Sequence, residues 1–231
     1  MAFTFVCDSD LHFEERGLND LPRPEKDNNV SIIQSLNPDL VIVAGDLTNN
    51  GSDGSKICCL PISGHQCQLQ AYEEKYVKPL EQFTSVYASM GNHDNWTYFP
   101  YVYKAIQVYI IKKYGGINYH FTHKGVQFIC LGIYPDADAL RFFLKNADST
   151  IPLVLFFHYN LQGPWSDWWT NEEKEAFNTT IAGYNVKLIV TGHIHECSNY
   201  TWEGYNVITC GGRGVYKCTY FNNNVSIELH T

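Results

Sequence analysis

Apolar positions along this chain fall into short continuous runs, separated by longer stretches in which apolar residues recur every third or fourth position. Residues 3–7, 40–44, 85–89, 153–157 and 187–191 are β-branched or aromatic runs, as expected for strands buried on both faces. Between them, residues 27–37 read as a helix closed by Pro38. Residues 68–83 read as a second, with Leu69, Tyr72, Tyr76 and Leu80 on one side. Residues 99–114 and 136–146 give a third and a fourth helix, and 171–183 a fifth, opened by a capping box between Thr170 and Glu173. Residues 118–122 and 126–132 pair as a hairpin around His123-Lys124-Gly125. The tail, 205–210 and 216–229, is strand, turn and strand, with Asn222-Asn223-Asn224 as the turn. This alternation, without repeats or low complexity, predicts an α/β fold with two mixed sheets packed face to face and helices outside.

Polar clusters stand where several of these strands should end: Asp10-Leu11-His12, Gly45-Asp46, Gly91-Asn92-His93-Asp94, His158 and Gly192-His193-Ile194-His195. In open α/β sheets the carboxyl ends of strands border the ligand crevice. Carboxylate, amide oxygen and imidazole suit hard or borderline divalent ions such as Mn, Fe, Zn or Mg, whereas a soft-metal site would use thiolates. The set is that of a hydrolytic site for two ions, which in such sites lie roughly 3.5–4 Å apart and clamp the attacking and leaving oxygens of an in-line displacement. Asp8 offers a further carboxylate, but only Asp10 has a histidine two residues on, so Asp8 is not expected to touch a metal.

The blocks D-x-H, GD, GNHD, H and GHIH, in this order, resemble those of the calcineurin-like metallophosphoesterases over about residues 3 to 212. The resemblance implies a four-layer α/β/β/α sandwich and hydrolysis of a phosphoester by a metal-bound hydroxide. It places Asp10, His12 and His195 on one ion and Asn92, His158 and His193 on the other, with Asp46 bridging. His93 would protonate the leaving group or contact the phosphate, oriented by Asp94; a neighbouring carboxylate and two cations would tune such an acid. Members that dephosphorylate protein serine and threonine carry an arginine after GD and a glutamate after GNH. Here Asn49-Asn50-Gly51 and Asp94 stand instead, which argues against a dedicated protein phosphatase. Residues 45–51 look more like the branch containing cyclic-nucleotide and other phosphodiesterases. The function expected is therefore hydrolysis of a phosphodiester, or a phosphomonoester, of a small organic molecule.

Composition fits one domain spanning 1–231: 45% of residues are hydrophobic and 15% aromatic, enough for a large core. The net charge of -8 argues against nonspecific binding of nucleic acid, which needs a basic face, and so against a nuclease. A catalytically weak metal-binding interaction module is the other alternative, and the intact ligand set speaks against it. No run reaches the roughly 18 apolar residues of a membrane-spanning helix, and the first core strand begins almost at Met1, leaving no room for a secretory leader. A cytoplasmic protein is expected, its eight cysteines reduced. The Asn-x-Ser/Thr sequences at Asn29, Asn50, Asn95, Asn178, Asn199 and Asn224 are then read as coincidence.

Two further segments are candidates for setting the substrate. Residues 49–67 are rich in Gly and Ser and hold Cys58, Cys59, His65 and Cys67. Their spacing lacks the C-x2-C geometry of zinc knuckles, so an active-site loop is expected rather than a third metal site. Residues 159–169 follow His158 and carry Tyr159, Asn160, Trp165, Trp168 and Trp169; Tyr159 and Asn160 are placed to touch whatever the metals hold, as are Trp96 and Tyr98. Phosphates usually meet arginine forks, and the chain has four arginines, Arg16, Arg23, Arg141 and Arg213. Arg213 is the best placed of them, since the family often brings that strand end near the site.

Overall fold

The computed structural model describes residues 2–13, 24–49, 68–95, 105–145, 148–211 and 214–231. Eleven strands form two mixed sheets among these residues. β1 (Phe3–Asp8), β2 (Leu40–Val43), β3 (Ser85–Ala88), β10 (Val215–Phe221) and β11 (Asn224–His230) make the first, in the order β11-β10-β1-β2-β3. β4 (Asn118–His123), β5 (Val126–Leu131), β6 (Leu153–Phe156), β7 (Val186–Thr191), β8 (Ser198–Trp202) and β9 (Tyr205–Thr209) make the second, in the order β4-β5-β6-β7-β9-β8. Within each, the central strands run parallel, β1-β2-β3 and β5-β6-β7-β9, and hairpins close the antiparallel margins.

The two-residue period of the strands sorts their side chains into layers. Phe3, Phe5 and Cys7 of β1 face inward onto Phe128, Val154, Phe156 and Val190 of the second sheet, while Val6 faces out. The outer face of the first sheet is covered by α1 (Pro24–Leu36), α2 (Gln68–Tyr72), α3 (Lys78–Leu80) and α4 (Ala105–Tyr114). The outer face of the second is covered by α5 (Ala137–Leu144) and α6 (Asn171–Ile181). This is the four-layer α/β/β/α sandwich expected from the alternation.

Most expected elements are present, with shifted ends. Asp136 caps α5 through the Asp138 and Ala139 amides, and the Thr170 capping box opens α6 as its sequence predicts. The helix expected over 68–83 is interrupted by a π turn, Glu73–Val77. There the stacked rings of Tyr72 and Tyr76 are fully buried, and the Tyr76 hydroxyl reaches Asp8. β8 was not expected, because its residues 198–202 alternate exposed and half-buried rather than forming an apolar run. The first six residues of the third expected helix, 99–104, lie outside the described residues, and α4 is described as Ala105–Tyr114.

Candidate metal centre

The polar clusters meet at the carboxyl ends of β1, β2, β3, β6 and β7, where the two sheets face each other. Asp10, His12, Asp46 and His195 present ligand atoms all within 4.8 Å of one another. His12 Nε2 lies 3.0 Å from His195 Nε2 and 3.5 Å from Asp46 Oδ2, and His195 Nε2 lies 3.4 Å from Asp10 Oδ1. On the other side of Asp46, His158 Nε2 is 3.2 Å from the same Oδ2 and 3.0 Å from Asn92 Oδ1. The ring of His193 stands 5.1 Å from that of His158, and its Nε2 is buried without a hydrogen-bond partner. One carboxylate oxygen therefore sits between two groups of ligands.

The backbone is bent to bring these atoms together. Asp10, His12, Asp46, His193 and His195 all adopt positive φ, between 45° and 79°. That region costs a residue with a side chain about 1–2 kcal/mol, and such strain concentrates at functional sites. Hydrogen bonds between loops hold it: Asp10 N–H donates to Gly45 O at 3.1 Å, His12 N–H to Asp46 O at 2.9 Å, and Gly192 N–H to His158 O at 2.8 Å. Glycine is required where the loops touch. A methyl on Gly91 would stand 2.1 Å from Asp46 Oδ1, and one on Gly192 would stand 2.0 Å from Ser9 Oγ and 2.7 Å from Asp10 Oδ2.

The protein also fixes how each ligand is presented. Asp10 accepts the His193 amide, and Asp46 Oδ1 accepts the His93 amide at 2.9 Å, which leaves Oδ2 for the centre. His158 Nδ1–H donates to Ala44 O at 2.8 Å, so the lone pair of Nε2 faces inward, the usual orientation for a metal-binding histidine. Burial favours the neutral form of both Asp46 and His158, yet their contact outweighs it: the carboxyl is held well below its usual range and the imidazole above its own. His193, buried and next to His158, is pushed down to about 4 and stays neutral. A converging set of carboxylate and amide oxygens and imidazole nitrogens, in which a cation would displace the proton that Asp46 holds on His158 Nε2, with an orphaned buried nitrogen on His193, fits divalent cations.

Three residues deserve separate placement. Asp8 is fully buried and accepts from the Ser9 amide, the Asn29 amide and the Tyr76 hydroxyl, so it supports β1 and takes no place among the ligands. Asn29 is itself buried, which closes that Asn-x-Ser position to glycosylation in the folded chain. Asp94, expected to orient His93, is fully buried. Its two oxygens accept from Leu47 N, Thr48 N, Thr48 Oγ1 and Gly91 N, and His93 Nδ1 lies 2.7 Å from Asn49 O. Asp94 thus positions the turns on which His93 and Asn49 ride.

Of the expected substrate contacts, Tyr159 lies 4.8 Å from the His193 ring, beside the centre. Asn160, next to His158, is fully buried; its amide N–H groups donate to Gln162 O and Pro164 O, shaping the loop that follows, and its Oδ1 is buried without a hydrogen-bond partner. Trp96, Tyr98, Arg16, Arg23, Arg213 and residues 50–67 lie outside the described residues. The neighbours that sequence reasoning did not pick out are Tyr134, stacked on Tyr159, and the backbone acceptors Ala44 and Asn49. Backbone acceptors have no sequence signal, and Tyr134 follows β5, which carries no ligand.

The family model of the calcineurin-like phosphoesterases matches residues 3–197. The chain belongs to this family. Its metallophosphoesterase relatives work with divalent metals, and the cluster described above is the candidate place for them here. A search of curated proteins finds no match. Among solved structures, the phosphoesterase fold recurs in a dimetal phosphatase from Danio rerio, with 11% identity, coverage of 98% of this chain and 95% of that one, and a TM-score of 0.66. It recurs in GAP50, the anchor in the inner membrane complex of Plasmodium, at 12% identity, 99% and 84% coverage and a TM-score of 0.60. Phosphopantetheinyl hydrolase from Mycobacterium tuberculosis matches at 18% identity, 90% and 89% coverage and a TM-score of 0.51. At these identities the likeness is one of fold. No helix among the described residues is long and apolar enough to cross a membrane.

Proposed function

We propose that this phosphoesterase hydrolyses esters of phosphate with small organic molecules, phosphodiesters in preference to monoesters, using two divalent cations drawn from Mn, Fe and Zn. We read it as a single catalytic domain of the cytoplasm. The observation that carries the proposal is the position of Asp46 Oδ2 between His12 Nε2 at 3.5 Å and His158 Nε2 at 3.2 Å. Asp10, His12 and His195 would hold one ion, Asn92, His158 and His193 the other, and Asp46 both. When bound, the ions would set positive charge against the phosphoryl oxygens and make water acidic enough to attack at neutral pH.

The remaining work falls to the chain. His93 Nδ1–H is committed to Asn49 O, so its proton is exchanged at Nε2. As the water oxygen bonds to phosphorus and the bond to the leaving oxygen breaks, His93 would pass that proton to the leaving alkoxide. The strained turns hold the ligands in place before substrate arrives, which lowers the reorganisation needed in the transition state. The lean towards diesters rests on the likeness of residues 45–51 to the phosphodiesterase branch and on scarce arginines: Arg141, the one described, is paired with Asp138 on α5. A monoester dianion carries more charge for such forks to grip.

The test is release of p-nitrophenol from bis-p-nitrophenyl phosphate and from p-nitrophenyl phosphate with added Mn, with Asp46→Asn as the blank. Faster diester cleavage, absent from Asp46→Asn, is expected. Silence on both esters would sink the proposal in favour of an interaction module, and cleavage of a labelled oligonucleotide that Asp46→Asn abolishes would favour a nuclease.

A further inference from the structure

We propose that the loop after His158 forms an aromatic subsite that stacks the planar organic group of the ester, of the size and flatness of a nucleobase. The inference rests on the hydrolase reading above and names its substrate class. Trp168 stands edge-on to His193 with ring centroids 4.6 Å apart, so a group esterified to a phosphorus at the metal centre meets this ring first. Trp165 follows at 6.4 Å and 83° from Trp168. Behind them Tyr159 packs on His193, and Tyr134 stacks on Tyr159 at 5.6 Å and 5°.

Three of these rings are open to solvent: Trp165 is 60%, Trp168 48% and Tyr134 39% exposed. The core does not need them, because Trp169 already anchors the loop. It is 1% exposed, packs on Phe157 and Phe177, and donates its indole N–H to Asn160 O at 3.1 Å. Trp165 is moreover held in the left-handed region, at φ 61° and ψ 8°. A bulky residue takes that conformation only where its surroundings impose it, and such outliers gather at ligand sites. What imposes it is the turn that Asn160 ties through Gln162 O and Pro164 O, both at 2.8 Å. Two buried anchors therefore display two exposed tryptophans beside the metal centre.

The arrangement distinguishes a flat group from a cation. In an edge-to-face pair one ring's face is taken up by the other's edge, leaving an open face that suits stacking, whereas enclosure of an ammonium group calls for ring faces on several sides. Base–aromatic stacking is sequence-tolerant and strong enough to change affinity by roughly tenfold or more per ring.

The experiment compares adenosine 5'-phosphate with ribose 5-phosphate, and the methyl diesters of both, by product chromatography with added Mn. Each pair differs in the base. We expect the adenosine ester to be preferred by at least about tenfold in kcat/KM, chiefly through KM, and the preference to shrink about tenfold in Trp165→Leu and Trp168→Leu. Trp165→Phe should retain most of it. Trp165→Gly should lose it while raising Tm, because glycine relieves the positive φ; a merely structural tryptophan would not separate the two readouts. Equal use of both esters by the wild type, or a preference unchanged in the variants, overturns the subsite. If neither these nor the nitrophenyl esters are cleaved, the hydrolase reading fails, and calorimetric titration with adenosine 5'-phosphate decides the subsite. Binding weakened about tenfold in Trp165→Leu supports it, and binding that is absent or unaltered overturns it. Tighter binding of phosphocholine than of adenosine 5'-phosphate would also overturn it, in favour of a cation cage.

Discussion

Asp8→Asn should stabilise the metal-free protein at neutral pH, although it removes a carboxylate that makes three hydrogen bonds. The carboxyl is fully buried, and its pKa is pushed up to about 7, first by that burial and further by the charge on Asp10; the bonds from Tyr76, Ser9 and Asn29 lower it but do not prevail. In the unfolded chain the group returns to the ordinary carboxylate value near 3.9. A folded pKa above the unfolded one means that the native state binds the proton more tightly. Its contribution is thus fully present below pH about 4 and is lost as pH rises through about 7. Between those limits stability should fall by about 1.4 kcal/mol per pH unit, reaching about 4 kcal/mol as an upper bound.

Asparagine keeps the geometry without the charge. Its oxygen can accept from Ser9 N and Asn29 Nδ2, now at 2.9 and 3.1 Å from Oδ1, and its amide can donate to the Tyr76 oxygen, now 2.8 Å from Oδ2. Urea unfolding at pH 5, 6, 7 and 8 in the presence of a chelator reads the difference. The wild type should lose stability along this series relative to Asp8→Asn, and the gap should narrow once divalent cations are restored, because their charge favours the ionised carboxyl. Parallel pH profiles, or a variant less stable at every pH, would refute the reasoning.

Other perturbations separate the site from the scaffold. Gly91→Ala pushes a methyl against Asp46, 2.1 Å from Oδ1 and 2.3 Å from the backbone nitrogen; metal affinity should fall about 10- to 100-fold, measured by competition with a chromogenic chelator. Trp169→Ala opens a cavity under the loop after His158 and should cost about 3–5 kcal/mol in urea unfolding. Thr170→Ala breaks the capping box of α6 and should cost about 1 kcal/mol. Phe142→Ser, at a ring 75% exposed on α5, should stay within about 0.5 kcal/mol of the wild type.

The sandwich was legible because strands buried on both faces leave continuous apolar runs, and each run that feeds the centre ends in a polar cluster. β8 was not legible, since an edge strand with one face in solvent shares its pattern with a polar loop. The π turn at 73–77 was hidden as well: it follows from packing Tyr72 and Tyr76 and from the reach of Tyr76 to Asp8, neither of which changes the helical spacing. The ligand residues were readable as types and order. How they are presented was not, because the partners are backbone atoms, Ala44 O for His158 and Asn49 O for His93. For the same reason the bonds of Asp94 to the neighbouring turns, and those of Asn160 to its own loop, were not legible.

The proposal turns on Asp46, whose Oδ2 lies between the two groups of ligands and which would serve both ions. Metal content of wild type and Asp46→Asn, measured by elemental analysis after equilibration with Mn and gel filtration, tests it most directly. The account predicts two equivalents per chain in the wild type and no more than one in the variant, with unchanged circular dichroism. Two equivalents retained in Asp46→Asn, or a single equivalent in the wild type, would contradict it.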